Sequence, residues 1–528
     1  MGIRNPFQAT SDQKEVIETT IVDDSVPDPV IVNNGTIRDQ QDMTRLGKQQ
    51  ELKRNFRFIS ILGFTVTLMS TWESMLVAST FGLIDGGFAG LIWVYLGTFC
   101  GFFAVVCSMA EMASIAPTSG GQYHWVSEFA PRSMQRFLSY MVGWVSMLGW
   151  QTGTASAAFL AGTIIQGLLA LNKDTYVPER WHGTLFVIAL SGFAIFFNTY
   201  GASRLPTLEG LVLILHIFGF VAILVPLWVL ATPNTPTQVF TEFVNGGGWS
   251  SVGAACVVGQ ISPVYAFVGP DSAAHMAEEV KDASKIIPRC MVWTAIINGI
   301  MGFVMLVTFC FCMTDVEAAL GTATGYPFLE VFYQVTGSKG GATAMACIIV
   351  VLIVCASISI LATASRQTFA FARDEGLPYS KFFAHVNPRW QLPLNSIMVS
   401  FVVTVLLSLI NIGSTAAFNA IASLSVVSLF TGYIMSIGCY TWKKLTHQPL
   451  PPSRWSMGRI GPAVNIFALL WLAFAIIMAF FPIATPVTPE TMNWAILVYG
   501  AVVIFAVGAF FVRGRKAYSG PVVLIKQN

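Results

Sequence analysis

A carboxylate interrupts a stretch of sequence that could otherwise cross a membrane. The segment LMSTWESML places Glu73 near the middle of residues 58–84, beside Ser70, Thr71 and Trp72. Ionisable groups inside a bilayer are rare, costly and mostly functional. Two interpretations are open: Glu73 anchors an amine or carries a proton, or it is a protonated carboxyl that hydrogen-bonds a neighbouring helix.

A second apolar segment is also broken. It contains Pro263, Gly269 and Pro270, and Asp271 follows the break directly. Because proline removes a backbone donor and clashes with the preceding turn, carbonyls at 265–268 should lose their helical partners. Such groups are tolerated in lipid only where they line a cavity or meet other protein groups.

Aromatic residues lie at both breaks. Tyr265 and Phe267 at the second break, with Trp72 at the first, could form a box around an ammonium group, because a cation and a ring attract by about 0.5–2 kcal/mol. The alternative is ordinary packing, since 13% of all residues are aromatic.

The composition indicates an integral membrane protein. Of the 528 residues, 54% are hydrophobic and 11% are charged, whereas soluble domains carry about 25% charged residues. The net charge of +2 comes without a basic tract, which argues against a nucleic-acid partner. The nine cysteines lie in hydrophobic segments without CxxC spacing, so we expect no metal site, disulfide framework or cofactor.

Twelve segments are long and apolar enough to span a bilayer, where about 20 residues are needed. We place them at residues 58–84, 88–115, 137–169, 183–200, 207–231, 251–277, 290–314, 342–372, 393–411, 416–441, 461–482 and 492–512. With this arrangement, all of the 29 Lys and Arg residues except Lys173, Arg180 and Lys339 fall on one side. Because basic residues mark the cytoplasmic side, both termini are predicted to be cytoplasmic.

Three stretches carry a specific resemblance. They are EMASIAPTSGGQYHWVSEFAP at 111–131, AFVGPDSAAHMAEEVKDASKIIPR at 266–289 and ASRQTFAFARDEGLP at 364–378. They resemble the loop after helix 2, the helix 6 signature and the end of helix 8 in the amino acid/polyamine/organocation permease superfamily, in its fungal branch for amino acids, choline and GABA. Interrupted helices at matching positions of two five-helix halves point to a midplane site in such transporters.

The resemblance implies an all-α membrane protein with a five-plus-five inverted-repeat core, broken helices 1 and 6 and two peripheral helices. Residues 1–56 are polar, acidic in patches and free of long apolar runs, so we predict a disordered cytoplasmic tail there. The remaining divisions are the core at 57–441, the peripheral helices at 442–512 and a cytoplasmic tail at 513–528. The sequon Asn34-Gly35-Thr36 lies in the first tail and should stay unmodified.

The sequence departs from the family at the helix 1 break, where many members have a small Gly-Ser-Gly-like element. A carboxylate at Glu73 would repel a substrate carboxylate and attract an ammonium, which favours choline, GABA or polyamines over other amino acids. The predicted substrate-binding residues are Ser70, Thr71, Trp72, Glu73, Tyr265, Phe267 and Gly269.

Coupling residues are predicted in the membrane as well. Asp271 resembles a family residue that links the site to the gates, or it caps the helix that follows. His216 falls where some proton-coupled relatives place a lysine that bridges helices 1 and 8, with Ser357 and Ser359 as neighbours; it is a proton site or a packing residue. Glu209, close to a helix end, is expected to be structural.

A charged group on the basic side allows two interpretations as well. Its residues are an inner gate network, or they form a solvated face. They are Glu278, Glu279, Arg366, Arg373, Asp374 and Glu375.

The predicted function is a proton-coupled secondary transporter of small amines or amino acids in a fungal plasma membrane. The alternatives are a nutrient sensor that binds without transporting, and a carrier of a specialised metabolite or its precursor. An enzyme is disfavoured, because the sequence has no GxSxG element and no His-rich box. ATP drive is disfavoured because no GxxxxGK[ST] element occurs.

Overall fold

The computed structural model describes residues 35–413, 417–489, 491–518 and 520–521. The first part of the predicted N-terminal tail, including Asn34 of the sequon, and residues 522–528 of the predicted C-terminal tail lie outside this range. The described residues fold into helices joined by loops and short turns.

Twelve helical spans are long and apolar enough to cross a membrane, which confirms the predicted number. Spans 1 to 12 are Phe58–Val77, Thr80–Ile115, Gln135–Asn172, Arg180–Thr199, Ala202–Leu230, Val252–His275, Ala283–Cys312, Lys339–Arg373, Leu394–Gly413, Phe418–Leu445, Gly458–Ala479 and Ala495–Ala517. The even number places the N-terminal segment and the end of span 12 on one side, which we call the N-terminal side; the other is the opposite side.

Spans 1 and 6 are interrupted, as predicted. Span 1 consists of Phe58–Met69 and Thr71–Val77, and Ser70 between them has the left-handed φ of 42°. In span 6 the helix Ile261–Phe267 ends before Gly269, whose φ is 129°. Pro263 lies in the first turn of that helix, where its missing donor costs little, so the break falls after it.

Side chains satisfy the backbone groups that the breaks release. The hydroxyl of Thr71 donates to the carbonyl of Ala266, at 2.8 Å. Asn298 in span 7 donates to the carbonyl of Val66 and accepts from the amide of Thr71, both at 3.2 Å. The two breaks are therefore tied to each other and to span 7.

Spans 1 and 5 touch through their backbones. A Cβ atom on Gly63 would lie 2.6 Å from the carbonyl oxygen of Glu209. Small residues allow such close approach between membrane helices. Glycine at 63 thus sets the distance between span 1 and the Glu209 side chain.

The N-terminal side is closed by a buried charge network, which we call the inner network: Lys48, Tyr123, Glu278, Arg373 and Asp374. Arg373 holds both carboxylate oxygens of Glu278 at 2.8 Å. Lys48 pairs with Asp374, which also accepts from the hydroxyl of Tyr123 at 2.9 Å. Burial would raise the pKa of Glu278, but the guanidinium of Arg373 outweighs it and lowers that pKa to about 2.

The described part of the predicted tail, residues 35–56, is folded against this network. Its helix Ile37–Arg45 begins with a capping box between Thr36 and Asp39. The Asp39 carboxylate also accepts from the amides of Asp282 and Ala283 at the start of span 7, at 2.9 and 3.0 Å. The charges that suggested disorder have buried partners in the fold, and the ordered chain begins before residue 57.

The contact at Gly63 can be tested by adding one methyl group. In Gly63→Ala the new Cβ meets backbone rather than a flexible side chain, so the free energy of unfolding should fall by about 1–3 kcal/mol. The control is Gly210→Ala, one residue from the contact, where a Cβ meets nothing within 4 Å. Thermal unfolding of the purified protein in detergent measures both; equal Tm values would contradict the backbone contact.

The inner network should stabilise the fold through buried rather than exposed charge. Glu278→Gln leaves Arg373 unpaired and should cost about 3–5 kcal/mol. Because the folded pKa of Glu278 is depressed, this contribution is complete above its usual value of 4.5 and is lost as the pH falls toward about 2. The difference in Tm from the wild type should therefore be the same from about pH 5.5 to about pH 7.5.

The matched control for this pair is Asp174→Asn, which breaks the exposed ion pair with Lys339, 2.8 Å long. Exposed pairs contribute little, so this variant should unfold at the wild-type temperature. Equal losses in Asp174→Asn and Glu278→Gln would show that burial does not set the strength of the inner network.

Candidate functional site

A cavity lies between the two breaks. About 590 Å³ of empty space lies there, part of it open to solvent, and its wall comes from spans 1, 3, 6, 8 and 10. Ser70 and Gly269 line it at the breaks, and Trp150 and Tyr265 contribute aromatic surface. Among the described residues, no charged side chain lines this cavity.

The polar groups of the cavity are uncharged. Ser70 and Ser74 stand one helical turn apart, and Ser425 faces them from span 10. The hydroxyl of Tyr265 is held by Ser156 at 2.8 Å, which fixes the ring in the wall. The remaining lining is mainly aliphatic, so the site suits a small ligand with an apolar part.

The predicted substrate-binding residues separate into three groups. Ser70, Tyr265 and Gly269 line the cavity. Thr71 is occupied in bridging the breaks. The other three, Trp72, Glu73 and Phe267, are fully buried and do not line it.

The aromatic box is therefore built differently from the prediction. Trp72 packs on the rings of His216 and Phe220, at 5.7 and 5.8 Å between centroids. Phe267 packs on Tyr95 of span 2, at 4.9 Å. The ring that shares the cavity wall with Tyr265 is Trp150, which the sequence analysis did not select.

Glu73 pairs with His216. Its Oε1 lies 2.7 Å from Nδ1 of the imidazole, and both side chains are fully buried. Among the described residues, neither the second carboxylate oxygen nor Nε2 has a hydrogen-bond partner. This geometry agrees with the interpretation in which Glu73 hydrogen-bonds a neighbouring helix, and it corrects the placement of His216, which does not bridge to span 8.

Glu209, not His216, is the residue that joins spans 1, 5 and 8. It accepts from the hydroxyls of Ser359 at 2.7 Å and Thr67 at 3.0 Å, and it is buried rather than interfacial. Ser357 donates to a carbonyl of its own helix instead. The sequence could have indicated this, because Glu209 and His216 are seven residues apart. That spacing is two helical turns, so both side chains lie on the same face of span 5.

Asp271 has side-chain partners across the bundle. It accepts from the hydroxyl of Tyr433 at 2.6 Å and from the amide nitrogen of Gln122 at 2.8 Å. Its side chain makes no capping bond to the helix that follows, so the capping interpretation is wrong. His275, one turn later, has Nε2 3.6 Å from the Asp271 carboxylate.

A larger recess lies on the opposite side, with about 1120 Å³ of space between atoms, and we call it the outer recess. Leu160 lines both the recess and the cavity. Between them lie three rings: Phe418 contacts Tyr265 at 5.9 Å and stacks on Phe159 at 5.7 Å. An aromatic partition therefore separates the cavity from the outer recess, and the inner network lies toward the N-terminal side.

Metal binding finds no support in this arrangement. Across residues 35–413, 417–489, 491–518 and 520–521, no three His, Cys, Asp or Glu side chains are grouped so that they could hold a metal ion. Three carboxyls of the membrane region, those of Glu73, Glu209 and Asp271, are each bonded instead to a side chain of another helix.

Solved structures share the fold. The crystal structure of a manganese transporter from Eremococcus coleocola superposes with a TM-score of 0.52, at 12% identity, over 89% of this chain and 95% of that chain. At this identity the likeness concerns the fold alone. It agrees with the inverted-repeat architecture that the interrupted spans 1 and 6 indicate.

Sequence relatives share most of the chain. The choline transporter of Saccharomyces cerevisiae is 31% identical over 88% of this chain and 83% of its own length. Amino-acid permease 2 of Neurospora crassa is 29% identical, covering 90% and 88%. An amino-acid permease of Arabidopsis thaliana is 28% identical, covering 93% and 97%. The model of the amino acid permease family matches residues 56–502, and the chain belongs to that family.

Proposed function

We propose that this permease is a secondary transporter that carries a small neutral amino acid through the cavity between the two breaks, driven by a proton gradient. In this proposal the N-terminal side faces the cytoplasm and the membrane is the plasma membrane. The observation that carries it is the uncharged lining of the cavity at the breaks of spans 1 and 6. Midplane sites of this kind bind substrate in inverted-repeat transporters.

The lining favours a zwitterion over a cation. A cationic amine without its own carboxylate needs a counter-charge, and the candidate for that role, Glu73, faces His216 instead. Interrupted helices present backbone donors and acceptors together, which suit an ammonium and a carboxylate on one ligand. Aliphatic residues such as Leu160 and Ile353 would contact its side chain.

Choline is the second candidate. Trp150 and Tyr265 both line the cavity, and aromatic faces attract a quaternary ammonium without a carboxylate. The similarity to the choline transporter of Saccharomyces cerevisiae supports the same candidate. Polyamines fit less well, because each of their several charges would need a partner in an uncharged wall.

Glu209 is the proposed proton carrier. Its partners are the hydroxyls of Thr67 and Ser359, which can bond a charged or a neutral carboxyl. Adding a proton there changes the contact among spans 1, 5 and 8, whose relative movement would open the cavity. The pair of Glu73 and His216 is the alternative carrier.

Transport can be measured with a panel of substrates. We expect cells expressing the protein to take up radiolabelled alanine or leucine, and to do so faster at about pH 5 than at about pH 7, with loss of accumulation on adding a protonophore. Uptake of choline alone would select the second candidate. Uptake of putrescine alone would contradict the substrate argument, and binding without flux would indicate a sensor.

The proton carrier can be assigned by two matched variants. Glu209→Gln keeps hydrogen bonds to the two hydroxyls but cannot ionise. It should therefore exchange substrate across a vesicle membrane while losing accumulation driven by a pH gradient. His216→Gln should retain that accumulation. The reverse pattern, with coupling lost only in His216→Gln, would assign the proton to the pair with Glu73.

A further inference from the structure

One histidine beside the cavity has its protonation state determined by its partners. Nδ1 of His275 lies 2.9 Å from the carbonyl oxygen of Ser119, which can only accept, so this nitrogen carries a hydrogen. The indole N–H of Trp150 donates to Nε2 at 3.0 Å. Because an indole can only donate, Nε2 is unprotonated and the imidazole is neutral.

A proton on Nε2 would change this arrangement. The new N–H would point at the indole N–H, so the bond between Trp150 and His275 would be lost. The Asp271 carboxylate lies 3.6 Å from the same nitrogen and would become its partner. Asp271 already accepts from Tyr433 and Gln122, one on each oxygen, which holds it in place for an incoming imidazolium.

We propose that His275 is a positioning residue that sets the indole of Trp150 in the cavity wall, and that protonation of His275 transfers its hydrogen bond from Trp150 to Asp271. Trp150 lines the cavity, so its release changes the surface that a substrate meets. The inference rests on the proposed function only in treating this cavity as the substrate site. Affinity would then depend on pH separately from the proton that drives transport.

The surroundings of His275 offer few competing charges. The residues that contact it are Ser119 and Gly121, from the loop after span 2, and Trp150, from span 3. Of the titratable groups, Asp271 lies in the same span and Tyr433 reaches it through Asp271. Beyond the loop, Glu278 accepts from the amide of Ser119 and is neutralised by Arg373.

The direct test is ¹⁹F NMR of the full-length protein labelled with 5-fluorotryptophan, which needs no transported substrate. The Trp150 resonance, assigned with Trp150→Phe, should shift with one inflection between about pH 5 and about pH 8. In His275→Gln that shift should vanish. In Asp271→Asn the inflection should differ from that of the wild type, because the imidazolium loses its counter-charge.

The matched control is Trp228, whose indole donates at 2.9 Å to the hydroxyl of Thr308, a group that does not titrate in this range. Its resonance should stay constant. A Trp150 resonance that does not respond to pH, or one that still shifts in His275→Gln, would overturn the proposal. Should His275→Gln fail to fold, an inflection that is unchanged in Asp271→Asn would overturn it instead.

If the proposal holds, the KM for substrate depends on pH independently of the proton gradient that drives accumulation. For uptake of radiolabelled leucine and choline at a fixed pH gradient, the wild-type KM should change several-fold between about pH 5 and about pH 8. In His275→Gln the KM should be constant, while accumulation still depends on the gradient. Loss of gradient dependence without any effect on the NMR titration would contradict the proposed function and leave this inference standing.

Discussion

The rule that no backbone polar group is left unpaired in lipid governs this structure. Spans 1 and 6 break their own ladders at Ser70 and Gly269, so donors and acceptors must be found elsewhere. Thr71 and Asn298 supply several of them and lock the breaks together. The cavity occupies the space beside these breaks, so the side chains that make the interruption tolerable also hold the two breaks that border it.

Charge is kept out of the cavity wall and concentrated at joints between helices. Glu73, Glu209 and Asp271 are each buried and each bonded to a side chain from another helix. A buried carboxyl is costly unless it is hydrogen-bonded, so each one defines a contact that depends on its protonation. In the proposed mechanism, recognition of the ligand and response to protons occupy neighbouring but separate places, and the hydrogen bond from Trp150 to His275 connects them.

The twelve spans, the two breaks and the resemblance could be predicted because they depend on composition and on local backbone chemistry. The direction in which the Glu73 side chain points could not be predicted. The left-handed turn at Ser70 ends one helical phase and starts another, so the sequence does not show that positions 72 and 73 turn away from the cavity. Glu209 was misplaced because depth was judged from nearby basic residues. His275 has no unusual sequence context, and only the indole of Trp150 makes its role visible.

The aromatic partition and the inner network differ in the kind of interaction that holds them together. The aromatic partition consists of three rings held by stacking and by one hydroxyl contact of Tyr265. The inner network joins buried ions from the N-terminal segment, from the segment after span 6 and from the end of span 8. Rings can rotate individually, whereas buried ion pairs separate only at a large desolvation cost. Opening toward the opposite side therefore requires rotation of rings, whereas opening toward the N-terminal side requires buried ion pairs to separate, so we expect the second movement to be the slower one.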